Sequence, residues 1–166
     1  MWIRLSNSVR SRALAAGVAF LALDMALVFM ALPAWASLGG DTASIEADQI
    51  HMQGTRTMRA GQNFTVHEIQ GAAGTVVREY VSASGTVFAL VWHGPWPPDL
   101  RQLLGSYSDQ YVQAVKAQSG TRMGRRPLIV EQPGLVVHSG GHPRAFGGVA
   151  YIPGKMPQGV RAEDIR

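Results

Sequence analysis

The sequence predicts an α+β fold: one domain, a twisted antiparallel β-sheet with one main helix, bent or broken, packed on one face. Three observations predict it. β-Branched and aromatic residues fill short runs across residues 63–93 and again across 128–152, parted by breaks such as GAAG, SASG and QPG. Such breaks are too short for the crossovers that parallel strands need, so successive strands are antiparallel neighbours. Between the two sets lies one stretch, 99–115, whose apolar residues recur every three or four positions. Finally, residues 37–166 are enough chain for one core without staples, and the sequence has no cysteine to make any.

The first 36 residues stand apart by composition. Arg4, Arg10 and Arg12 lead, 13–32 is almost wholly apolar, and Ala34-Trp35-Ala36 has the small-x-small pattern of a cleavage site. A cleavable signal peptide, cut between Ala36 and Ser37, is expected, leaving a periplasmic or secreted domain. The alternative is an N-terminal membrane anchor, because about 20 apolar residues just span a bilayer. Asp24, in the middle of the run, opposes insertion by about 2.5–3.5 kcal/mol. Without Arg4, Arg10, Arg12 and Asp24 the formal charge falls from +4 to +2, too mild to argue for nucleic acid as a partner. The lack of cysteine excludes disulfides, thiolate chemistry and thioether-linked haem.

Residues 37–61 form a poorly patterned entry. It opens as SLGGDTAS, and Ile45, Gln49, Ile50 and Met52 make a weak helical stripe for one short helix. Strands follow at 63–70, 75–82 and 86–93. SASGT reads as a three-residue hairpin loop with Gly85 in the left-handed position. That loop sets Tyr80 opposite Phe88, Arg78 opposite Leu90 and Val76 opposite Trp92, while a loop one residue shorter would exchange Arg78 for Glu79 on the aromatic face. Both faces of the third strand are apolar, so it is expected to be central and covered on both sides. Pro97-Pro98 ends the ladder. Asp99, with Gln102 three residues on, caps a helix whose stripe is Leu100, Leu103, Leu104, Tyr107, Tyr111, Val112 and Val115, interrupted at Gly105-Ser106. Strands are expected again at 128–131, 135–138 and 145–152, with SGGHPR as a hairpin loop, and 153–166 as a tail laid over the surface.

Several of these segments resemble a known family. Leu38-Gly39-Gly40, the strand VREYV (77–81), FALVW (88–92), the turn GPWPPDL (94–100) and RAFGGVAYIP (144–153) are similar to a family of small exported proteins of Gram-negative bacteria known as a domain of unknown function. The resemblance covers most of residues 37–166. It implies export and a single domain, and it carries no activity, cofactor or catalytic residue with it.

No catalytic motif stands out among the remaining residues. Ser82, Ser84, Ser106, Ser108 and Ser139 lie outside any G-x-S-x-G or S-x-x-K pattern, and no phosphate-cradling glycine loop is present. No cofactor is called for. Arg78, Glu79, His93 and Trp96 are the candidate binding residues. Arg78 and Glu79 are each flanked on their own face by apolar residues, and buried charge needs a partner. The plain expectation is that Arg78 lies along Tyr80 and Trp92 while Glu79 meets a basic residue; the functional one is a polar anchor in a cleft. Trp96 sits in a stiff Gly-Pro-Trp-Pro-Pro corner with no apolar period to place it inside. His138 and His142 in HSGGH have ligand-like spacing, but their glycines disfavour a helix and a third ligand is missing. Arg122, Arg125 and Arg126 suit either a solvated turn or anionic lipid headgroups. Two functions follow: a non-catalytic binding or assembly module whose partner is an envelope protein or component, or a small metal-dependent or acid–base enzyme using His93, His138 or His142 with Glu68 or Glu79.

Overall fold

The computed structural model of the protein describes residues 38–119 and 127–166; the expected signal peptide and the arginines at 122, 125 and 126 lie outside the described residues. Helix α1, Thr42–His51, begins where the Asp41 carboxylate accepts the amides of Ala43 (3.0 Å) and Ser44 (3.2 Å), two of the donors that a helix start leaves unpaired. Strands β1 (Thr55–Ala60), β2 (Phe64–Gln70), β3 (Val76–Ser82) and β4 (Val87–Gly94) follow as a meander. Asp99 caps α2 (Leu100–Leu104) in the same way, accepting from Arg101 (2.9 Å) and Gln102 (3.2 Å). At Gly105, with φ +49°, the helix breaks into a 3₁₀ turn, Gly105–Tyr107, and restarts as α3, Ser108–Gln118. Strands β5 (Leu128–Gln132), β6 (Leu135–His142) and β7 (Ala145–Tyr151) complete one seven-stranded antiparallel sheet in the order β1-β2-β3-β4-β7-β6-β5.

Pairing of β4 with β7 joins the two meanders and makes β4 central, as its two apolar faces predict. The helices cover one face, over Val77, Leu90, Trp92, Val137 and Ala150. The C-terminal tail covers part of the other, where Phe64, Tyr80, Phe88 and Ala89 meet Met156, Val160 and Ile165. The tail is tied at its end: the Tyr80 hydroxyl donates to the Arg166 carbonyl and accepts the Arg166 amide at 2.8 Å. So 153–166 lies over the sheet with most of its residues exposed, and Met156, Val160 and Ile165 pack against the second core cluster.

Four expectations are corrected. Strand β1 falls inside the stretch read as unpatterned. It is an edge strand exposed at all six positions, so no buried face imposes the period of two. In α1 the expected short helix forms with Ile45 buried and Met52 packed against the core, but Ile50 is 70% exposed and Ser44 and Asp48 face inward in its place. The SASG loop is the three-residue one, with Gly85 at φ +81° and the Ser82 amide on the Thr86 carbonyl (2.9 Å), yet the register still moves. Val81 faces Val87 but Tyr80 faces Ala89, leaving Phe88 as an extra residue in a bulge. Beyond it Glu79 faces Leu90 and Val77 faces Trp92, so Glu79, not Arg78, shares the face of Trp92. Last, HSGGH is strand: β6 runs through to His142, which pairs with Ala145 around a two-residue Pro143-Arg144 turn.

Candidate functional site

Register decides which polar side chains can meet. Paired residues of neighbouring strands point to the same side, so the chain Glu68↔Arg78↔Val91↔Val149↔His138 lies on the tail side. His93, paired with Gly147, lies there too. Glu79, next in the chain to Arg78, points to the helix side. Of the sequence candidates the sheet therefore brings Arg78 and His93 together, sends Glu79 to the opposite face, and leaves Trp96 beyond the end of β4.

On the tail side of the sheet, Glu68, Arg78 and His138 are half-buried. Glu68 accepts from Arg78 Nε at 2.6 Å and from Arg59 Nη2 at 3.0 Å, a bridge across β1, β2 and β3. The Arg78 hydrogen bond, then the charges of Arg78, Arg59 and His93, hold the Glu68 carboxyl below its ordinary range. Arg78 thus finds its partner on the neighbouring strand, not along Trp92 as expected from the hairpin register. His138 sits on the same face, its Nε2 3.4 Å from Glu131 Oε1, and His93 is exposed.

His138 and His142 lie on one face of a strand four residues apart, about 13 Å at roughly 3.3 Å per residue, too far to share an ion. No group of three metal-ligating side chains converges among the described residues. The pairing of Glu79 with His93 or His138 that the enzyme reading admits is divided by the sheet. Glu68 does share a face with His93, but its carboxylate is already engaged by two arginines.

Trp96 is 62% exposed and its corner is held from behind, since Thr75 Oγ1 donates to the Trp96 carbonyl at 2.8 Å. It borders a cleft of about 340 Å³ with Met52, Ala72, Pro98, His51 and Asp99 among its walls. Nε2 of His51 is 3.9 Å from Asp99 Oδ2. His93 and Trp96 do not share this cleft.

The sequence reading missed a second polar cluster, on the helix side. Glu79 and Asp48 are each 1% exposed and within hydrogen-bonding reach of one another. Gln102 Nε2 donates to Asp48 Oδ1 at 3.3 Å, and His67, the cross-strand neighbour of Glu79, is buried with Nδ1 unpartnered. Glu79 was expected to meet a base and instead meets an acid. Burial, and then the Asp48 charge, push Glu79 well above its ordinary range. Burial also lifts Asp48 to about 6, against the hydrogen bonds from Glu79 and Gln102. Burial and the Arg56 charge lower His67. A proton between the carboxyls supplies the donor that neither carboxylate has. The available signal was Asp48 standing three residues after Ile45, on the only face α1 could bury.

No helix among the described residues is long and apolar enough to cross a membrane. Neither a curated protein nor a solved structure matches the chain. A family model does, over residues 34–165, nearly all of the sequence beyond the apolar leader, and the chain therefore belongs to the family described as "Protein of unknown function (DUF2844)".

Proposed function

We propose that this is an exported, non-catalytic binding or assembly module of the cell envelope, whose partner, an envelope protein or component, meets the charged residues on the tail side of the sheet. One observation carries the reading: Arg59, Glu68, Arg78 and His93 lie on the same face of the sheet, Arg59 and His93 exposed and the Glu68–Arg78 pair half-buried between them. A flat, rigid array of charges on paired strands suits recognition of another surface better than enclosure of a small substrate. Because Arg78 spends its Nε on Glu68, the two terminal nitrogens of its fork can meet an acidic group on the partner. Export rests on the arginine-led apolar leader and its Ala-Trp-Ala end.

Three measurements test this. The purified protein should begin at Ser37; a chain that keeps residues 1–36 would instead be anchored. A photo-crosslinking residue at position 93 should give one discrete adduct in a Gram-negative envelope. Arg78→Ala should weaken that adduct at least about tenfold, as truncating one strong contact of an interface does. Turnover of an envelope substrate that vanishes on substituting a single histidine or carboxylate would sink the non-catalytic reading.

A further inference from the structure

We propose that the Asp48–Glu79 pair is a proton-operated clamp, holding helix α1 on strand β3 while the pair keeps a proton and releasing it when both carboxyls are ionised. The geometry comes first. Helix α1 is lightly fastened, since Ser44, Ile45 and Asp48 are its only buried residues. Of its inward contacts, one is therefore a carboxyl set against another carboxyl, each 1% exposed. Asp48 Oδ2 and Glu79 Oε1 accept from no donor among the described residues, and no arginine or lysine there forms an ion pair with either.

The neighbours decide where the proton sits. From α2, Gln102 donates to Asp48, which favours the ionised form there and leaves Glu79 as the donor to Asp48. From β2, His67 flanks Glu79, but its own burial and Arg56 disfavour the charge that would compensate a second carboxylate. From β1, Arg56 attracts ionised Glu79 only weakly, being exposed to water. His51, a turn beyond Asp48, is half exposed and lies near Asp99, so the charges of those two partly cancel at Asp48.

The sign follows from linkage. Both carboxyls hold protons more tightly when α1 is docked than when it is open. Docking is therefore strongest below about pH 4, where the open form is protonated too. It weakens as pH rises through about 6, where docked Asp48 ionises, and further until Glu79 gives its proton to solvent and two buried anions face each other. Release would also loosen one wall of the Trp96 cleft, since His51 and Met52 end α1 and line it.

Amide hydrogen exchange of the full-length protein, followed from pH 5 to pH 9 and expressed as protection factors, tests the clamp. Protection of the amides of residues 46–52, relative to those of β4, should fall at least about tenfold, the linkage value for one unit of pKa displacement. In Glu79→Gln the amide can donate to Asp48 at every pH and no second carboxyl is left to ionise, so only the step near pH 6, where Asp48 loses its proton, should remain, with protection level from there to pH 9. An α1 profile parallel to β4 in the wild type, or a Glu79→Gln profile as steep as wild type, would overturn the clamp. Should Glu79→Gln fail to fold, Asp48→Asn offers the same test with the donor reversed. The ¹³C carboxyl resonance of Glu79 reads the pair directly, and a midpoint below pH 5 would also overturn it.

Discussion

Phe88→Ala is expected to be among the most damaging single changes in this protein, lowering stability by about 3–5 kcal/mol. Phe88 is fully buried, its ring 6.1 Å from Phe64 and 6.2 Å from Tyr80, beneath the tail residues Met156, Val160 and Ile165. It is also the extra residue of the β4 bulge, and its carbonyl accepts the Ile152 amide at 3.0 Å. That backbone bond keeps the site from closing over the vacated volume, so the cavity persists. Urea unfolding should show a lower midpoint with an unchanged slope, and Phe88→Leu should recover part of the loss. A loss below about 1 kcal/mol, far short of what a persistent cavity costs, would mean that the tail settles into the space.

Gly148→Ala should be nearly as harmful through the opposite fault. A methyl group at 148 would stand 2.3 Å from Trp92 Cζ2 and 2.6 Å from the His138 carbonyl oxygen. The indole lies over the bare backbone of β7, and only glycine permits that approach. Trp92 is 2% exposed and has little room to retreat, while the His138 oxygen belongs to the adjacent strand. Overpacking of this kind costs about 1–3 kcal/mol, and the Trp92 indole N–H resonance should shift with it. Gly154→Ala is the control, since nothing lies within 4 Å of an added methyl there. Its stability should stay within about 0.5 kcal/mol of wild type. Equal midpoints for Gly148→Ala and Gly154→Ala would mean that Trp92 moves freely.

Much of this fold was legible in the residues because the signals were local. The strands β2, β3 and β4, the Gly85 loop, the Asp99 cap and the break at Gly105 each rest on a few neighbouring residues whose backbone preferences act without help from the rest of the chain. β1 was illegible for the same reason. A strand with neither face buried has no pattern to display, and TRTMRA becomes one only by pairing with β2. HSGGH misled because glycine pairs usually mark loops, whereas here Gly140 and Gly141 pair with Gly147 and Phe146 inside the ladder.

The candidate residues divide along the same line. Arg78 and His93 were named from sequence and do share a surface, but their companions Glu68 and Arg59 come from strands whose register no single segment specifies. Glu79 was recognised as a buried charge and given the wrong kind of partner. Asp48, from a helix some 30 positions earlier, reaches it only after α1 folds back over the sheet.

By itself, then, the sequence determined the α+β class, the central strand and the capped and broken helix, since periodicity, caps and turns are properties of contiguous residues. Tertiary structure alone decided that the tail packs over one face of the sheet, that one bulged residue puts Glu79 rather than Arg78 on the face of Trp92, and that two acids meet where a base was expected. The physical reason is that a strand's side chains alternate. One inserted residue reverses every assignment beyond it, and no local signal reports the insertion.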